Sequence, residues 1–187
     1  MIKKDYRINI TILNNIIGKK LIKYKCDPFV FTNSVYSIVG IYTDDTTYCV
    51  TNKIQPIDYF GANEDVGIFN IEESNEENIK SALVDTTQIE TIVNEKIESI
   101  QVIEEHQKLF NAQTLEYDIH FTRAIIYKTC TRDYCFEKDS FDFSEQIVIN
   151  RGSNLCERFI NQDFSDKQSE FESPYRMEIS QDIITLE

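Results

Sequence analysis

The sequence predicts an α+β fold, with an antiparallel or mixed β-sheet and one long central helix at about residues 87–110. Three observations lead to this prediction. The chain has 28 isoleucines against 7 leucines, and β-branched residues favour strands. Apolar and polar residues alternate near both ends of the chain, whereas the middle has apolar residues at helical spacing. β-rich regions on both sides of a single helix are typical of α+β proteins.

The first 72 residues are predicted to form a β-rich region of five or six short strands. Alternation over residues 6–12 predicts one strand, and residues 21–26 predict a second, with turn-forming Asn and Gly residues between them. We expect these two strands to form a basic hairpin. Further strands are predicted at residues 35–42, 47–51 and 66–71.

Residues 73–112 are predicted to form an acidic loop followed by the central helix. Thr87, with Glu90 three residues later, matches a capping box at the helix start. Four apolar residues then recur at intervals of three or four positions, which places them on one helical face: Ile89, Val93, Ile97 and Ile100.

The rest of the chain is predicted to form a second β-rich region, 113–160, and an acidic tail, 161–187, of which parts are expected to be mobile. Residues 117–127 alternate over the length of a long strand, and residues 175–184 alternate well enough to add an edge strand. A chain of 187 residues is of the size of one domain. We therefore expect residues 1–187 to fold as a single domain.

Charge is distributed unevenly along the chain. Residues 1–26 carry a net charge of +6, residues 27–187 carry −19, and residues 58–105 alone carry −11. The basic patch, Lys19, Lys20, Lys23 and Lys25, surrounds a tyrosine that could stack on a base. Because the rest of the molecule repels a polyanion, we expect no direct binding to nucleic acid.

The acidic residues predict the opposite role, in which the protein binds a basic protein partner. An acidic surface can occupy a groove built for phosphates, as inhibitors of nucleases from viruses and mobile elements do. Acidity can equally serve solubility alone. The predicted acidic face comprises Glu72, Glu73, Glu76, Glu77, Glu90, Glu95, Glu98, Glu104 and Glu105, and the predicted aromatic anchors are Phe141 and Phe143.

Two alternatives remain at this stage. The first is an enzyme, a hydrolase or transferase, whose site is assembled from dispersed carboxylates, cysteines and histidines such as His120. The second is an oligomeric structural protein in which the basic hairpin of one copy docks on the acidic surface of the next. No nucleotide or cofactor signature is present, so we expect no cofactor.

The cysteines are candidate metal ligands, though weak ones. Cys130 and Cys135 lie in a predicted turn, and Cys156 follows twenty-one residues later. A second closely spaced pair is missing, so we predict free thiols and no metal site. Free thiols, together with the lack of a long apolar run or a signal-peptide pattern, predict a cytoplasmic protein outside the membrane.

Overall fold

A computed structural model of the protein describes residues 1–160 and 162–187, and strands make up 60% of the chain. The strands are β1 Ile2–Tyr6, β2 Lys20–Cys26, β3 Ser34–Tyr36, β4 Ile38–Thr43, β5 Thr47–Tyr59, β6 Ala62–Ser74, β7 Ile89–Asn111, β8 Thr114–Thr129, β9 Asp133–Lys138, β10 Gln146–Gly152 and β11 Tyr175–Leu186. Three helices of four residues are α1 Thr11–Asn14, α2 Glu157–Ile160 and α3 Ser165–Gln168, and a 3-10 helix spans Glu76–Asn78. None of these helices is long enough to cross a membrane.

The strands follow one path, in the order β3-β10-β9-β8-β7-β2-β4-β5-β6. Neighbours along it are antiparallel, whereas β1 is added to β8 in parallel and β11 to β7 antiparallel. β7 connects the two halves of the path, because its first residues pair with β2 and its later residues pair with both β8 and β11.

The main hydrophobic core lies between the two halves of this path. β2, β4, β5 and β6 contribute buried side chains such as Tyr24, Ile41 and Phe69, and β8 to β10 contribute others such as Tyr127 and Phe136. Aromatic edges meet across the core, since the rings of Tyr24 and Phe136 are 5.4 Å apart and nearly perpendicular. Contacts between strands distant in sequence therefore hold the fold together.

The prediction of an α+β fold with a central helix at 87–110 is wrong, because this segment forms β7. The fold is mostly antiparallel β-sheet. The reason lies in the irregular pairing of β7, whose register with β8 shifts at Ile97/Ser99 and at Ile103/Glu104. Each shift changes which residues face inward, so buried positions lose the strict alternation of a regular strand.

Consequently, the spacing of three between the buried Ile97 and Ile100 imitates a helix, whereas Ile89 of the predicted helical face is 40% exposed. Ile97, Ile100, Val102 and Ile103 are all fully buried, and the first three contribute to the main core. Strand pairing satisfies the backbone of this β-branched segment, with β2 over residues 89–96 and with both β8 and β11 over residues 100–111. This pairing outweighs the helix-like pattern.

The predicted basic hairpin is also wrong. β1 ends at Tyr6 and pairs with β8, while β2 pairs with β4 and β7. Residues 11–14, which the alternation assigned partly to a strand, form α1. The edge strand predicted at 175–184 is present as β11, while residue 161 of the predicted tail lies outside the described residues.

Candidate partner-binding site

Three segments converge at one end of the molecule, which we call the aromatic end. They are the turn of the β5–β6 hairpin, the β9–β10 loop and the segment that contains α3. Ring centroids of Tyr59 and Phe143 are 5.7 Å apart, and those of Phe60 and Phe171 are 5.8 Å apart. The ring members are Tyr59, Phe60, Tyr117, Phe141, Phe143 and Phe171.

The β9–β10 loop is held on β6 by a close backbone approach. The amide of Gly67 donates to the carbonyl oxygen of Asp142, 2.8 Å away. A Cβ at position 67 would lie 2.2 Å from the carbonyl oxygen of Ser144, so only glycine permits this approach. The buried side chain of Asn52 also donates to the Ser144 carbonyl, at 3.0 Å.

Asp142 lies at the centre of a buried charge network. Its Oδ1 is 2.7 Å from Nζ of Lys138, and its Oδ2 is 2.7 Å from Nζ of Lys167. Asp142 and Lys138 are only 4% and 1% exposed, and a buried charge is costly unless it is paired and hydrogen-bonded. This network therefore fixes the loop, and it leaves Phe141 61% exposed and Phe143 39% exposed on either side.

Neutral side chains complete what we call the Asp142 network. The Tyr59 hydroxyl lies 2.9 Å from Oε1 of Gln107 and 3.1 Å from Oδ2 of Asp142. The Gln107 amide donates to Glu105 at 2.7 Å and to Asp142 at 3.2 Å. Gln181 of β11 donates to the other oxygen of Glu105 at 2.9 Å. The network thus ties β5, β7, β11 and the β9–β10 loop together.

The network also determines which groups are charged. Burial by itself raises the pKa of the Asp142 carboxyl, but the ammonium groups of Lys138 and Lys167 outweigh it and hold that pKa well below its usual range. Burial and the neighbouring Asp142 charge raise the pKa of Tyr59. At neutral pH, Asp142 is therefore an anion and Tyr59 a neutral hydroxyl.

A cavity of about 60 Å³ opens beside Asp142 at the aromatic end. Its walls combine aromatic rings with charged groups, among them Lys167. The lining residues are Tyr59, Phe141, Asp142, Phe143, Lys167, Glu170, Phe171 and Met177. A neighbouring depression, which Phe143 also lines, has the exposed carboxylates of Glu64 and Asp65.

The predicted acidic face is divided among different environments. Glu104 and Glu105 are buried, at 6% and 2% exposure, and both accept hydrogen bonds from side chains of the same chain. A partner could not reach them without breaking those hydrogen bonds. Glu95 accepts hydrogen bonds from the hydroxyls of Thr129 and Thr131. Four others are exposed, namely Glu72, Glu73, Glu77 and Glu98.

The remaining two carboxylates of that face pair with the predicted basic patch. Nζ of Lys25 is 2.5 Å from Glu76 and 3.7 Å from Glu90, and Nζ of Lys23 is 2.7 Å from Glu90. Both ammonium groups also lie over the ring of Tyr42, at 5.1 and 5.2 Å from its centroid. We call these five residues the Lys25 cluster. The hydrogen bond from Lys25 lowers the pKa of Glu76.

The other two lysines of the basic patch lie at the start of β2, next to the β4–β5 turn. Nζ of Lys19 is 2.8 Å from Asp45. Lys20 is exposed, and its backbone amide donates to Asp44 at 3.2 Å. Three of the four lysines therefore have carboxylate partners within the same chain, which weakens the case for a basic surface that binds nucleic acid or a second copy.

The structure brings Cys135 and Cys156 to one small core but does not join them with Cys130 and His120 in a single site. His120 and Cys130 are ten residues apart along β8 and its end, which corresponds to roughly 30 Å. Cys135 is fully buried, and burial raises the pKa of its thiol. Cys156 packs against the same small core as Cys135. In residues 1–160 and 162–187 no three metal-ligating side chains form a group that could hold a metal ion.

The sequence analysis missed Lys138 and Lys167 as site residues. Lys138 lies at the end of β9, in which all six residues are buried, and its spacing of four from Asp142 was the one available signal. Lys167 lies 25 residues beyond Asp142, and no local pattern relates the two.

Comparison with models of known protein families finds no match, and searches of curated proteins and of solved structures find no significant match either.

Proposed function

We propose that this protein is an acidic, non-enzymatic binding module that docks its aromatic end onto a basic protein. In its sharper form, the partner is a nuclease or another nucleic-acid-binding protein whose phosphate-binding surface is masked. The observation that carries the proposal is the pair of exposed phenylalanines, Phe141 and Phe143, held on either side of the buried Asp142.

The exposed rings supply the affinity in this proposal. A large apolar side chain that becomes buried contributes about 1.5–3 kcal/mol, and aromatic anchors dominate many interfaces. The Phe141 and Phe143 rings contact each other at 5.3 Å, and Phe143 also contacts Tyr59. Because the loop between them is anchored, little conformational freedom is lost on binding.

The carboxylates supply the preference for a basic partner. The chain has a net charge of −13, and the aromatic end has Glu64, Asp65 and Glu170 in its depressions. Such a surface attracts a basic protein and increases the rate of association at low salt. We place the protein in the cytoplasm, where its five free cysteines would remain reduced.

The test is a binding titration against a panel of purified basic nucleases at 50 and 300 mM salt, with and without competing DNA. We expect at least one nuclease to bind, less tightly at the higher salt, and DNA to compete. A variant with Phe141→Ser and Phe143→Ser together should bind about 100-fold less tightly, because two buried rings are lost.

The matched control is Phe31→Ser, which removes a phenyl ring that is 69% exposed in another loop. This variant should bind as the parent does. Failure of the whole panel to bind at 50 mM salt would contradict the inhibitor form of the proposal. An equal loss for Phe31→Ser would show that the aromatic end is not the docking surface.

A further inference from the structure

The wall of the cavity at the aromatic end includes a cation, Lys167. Nζ of Lys167 lies 2.7 Å from Oδ2 of Asp142 and 3.9 Å from Oε1 of Glu105. The carboxylate of Glu170 also lines this cavity. Four aromatic rings contribute to the lining as well, namely Tyr59, Phe141, Phe143 and Phe171. Aromatic faces combined with a desolvated carboxylate form a binding site for ammonium and guanidinium groups.

The two cations on Asp142 are held differently. Lys138 belongs to β9, which pairs with β8 and β10, and its side chain is 2% exposed. Lys167 belongs to the four-residue helix α3, and its side chain is 23% exposed. Lys138 is thus a fixed part of the protein, whereas Lys167 can leave without opening a sheet.

From this difference we infer that the cavity is a receptor for a cationic side chain, and that Lys167 is an internal counter-ion of Asp142 which an arginine or lysine of the partner replaces. The inference deepens the proposed function and rests on it for the identity of the partner. On exchange, the incoming cation pairs with Asp142 and stacks against the rings, while the Lys167 ammonium returns to water. The chain's own lysine therefore lowers the apparent affinity of the site by competition.

The probe is N-acetyl-arginine amide, and its neutral control is N-acetyl-citrulline amide. Binding is followed by NMR through the ring signals of Tyr59 and Phe143. Lys167→Ala removes the Lys167 ammonium from the cavity wall, while Asp142 keeps its pair with Lys138. We expect saturable binding of the arginine probe at least about tenfold tighter than in the parent, and no saturable shifts with the citrulline probe.

Two further variants keep the test decisive. Lys80→Ala removes an exposed lysine of a distant loop and should leave the affinity of the parent unchanged. Asp142→Asn in the Lys167→Ala background should abolish binding of the arginine probe, with circular dichroism confirming the fold. If Lys167→Ala loses its fold, Lys167→Gln takes its place, with the same expected direction.

Equal affinity of the parent and the Lys167 variant for the arginine probe would overturn the inference, as would binding that survives Asp142→Asn. These outcomes are separate from failure of the proposed function. A panel nuclease that binds through Phe141 and Phe143 while the arginine probe does not bind would remove only the cavity's role. Arginine binding without any nuclease binding would remove only the proposed partner class.

Discussion

The Lys25 cluster and the Asp142 network contain the same chemical groups at similar distances, but in opposite environments. Nζ of Lys25 is 2.5 Å from Glu76, with both groups at the surface, whereas Nζ of Lys138 is 2.7 Å from Asp142 with both groups buried. At the surface, water screens such a pair, which then contributes little to stability. In the interior each charge depends on its partner, so the pair fixes geometry. The distance between the charged groups therefore does not by itself predict how much an ion pair contributes to stability.

The largest expected effect comes from breaking the buried pair. Lys138→Met removes one cation from Asp142 and leaves a buried carboxylate with incomplete compensation. We expect the free energy of unfolding, measured in urea, to fall by about 3–5 kcal/mol. Replacing both partners, as Lys138→Met with Asp142→Leu, should recover part of this loss because neither position of the pair then carries a buried charge. A double variant less stable than Lys138→Met would contradict this account of the network.

The histidine pair, intermediate in burial, should show a smaller effect that depends on pH. The rings of His106 and His120 are 4.1 Å apart across β7 and β8. Burial, reinforced by the charge of His120, lowers the pKa of His106 below its value in the unfolded chain. The carboxylates and the cation around the pair are Asp5, Glu104, Asp118, Asp182 and Arg7.

The sign of the pH effect follows from that lowered pKa. In the unfolded chain His106 has a pKa of about 6.5, so between that pH and the lower pKa of the folded state the unfolded state binds more protons. The contribution of His106 to the free energy of unfolding is therefore fully present above the unfolded pKa and is lost as pH falls through the folded pKa. The free energy of unfolding in urea should fall between pH 7.5 and pH 5.5, and this fall should be smaller in His106→Gln than in the parent. The same loss in both proteins would assign the pH dependence to other groups.

The smallest effect is expected at the surface. Lys25→Met separates the ammonium from Glu76 and Glu90 but keeps a side chain that can cover Tyr42. Because both carboxylates remain solvated, the free energy of unfolding should not differ measurably from that of the parent at 300 mM salt. A loss comparable to that of Lys138→Met would remove the distinction between the two clusters.

Local pattern predicted many strands but not the longest one. Residues 117–127 and 175–184 alternate regularly, and both lie in strands, β8 and β11. The prediction for residues 87–110 was wrong because shifts in register between β7 and β8 disturb the alternation of apolar and polar residues. Such shifts depend on the partner strand, which lies outside any short window of sequence.

The candidate site was only partly predictable, for a related reason. Phe141 and Phe143 stood out because apolar rings lie between acidic residues, and the structure leaves both exposed; their binding role stays a prediction. Lys138 could not be identified, since a lysine in a polar segment is ordinarily solvated. Its burial results from contacts with the β9–β10 loop.

By itself, the sequence determined the excess of β-branched residues, the acidity and the positions of Phe141 and Phe143 among acidic residues, because these depend on composition and on near neighbours in the chain. The tertiary structure alone decided that 89–111 is a strand shared by two halves of the sheet, and that Lys138 and Lys167 meet at Asp142. Pairing partners and desolvation arise between residues far apart in the chain. They therefore become fixed only when the two halves of the strand path close on their common core.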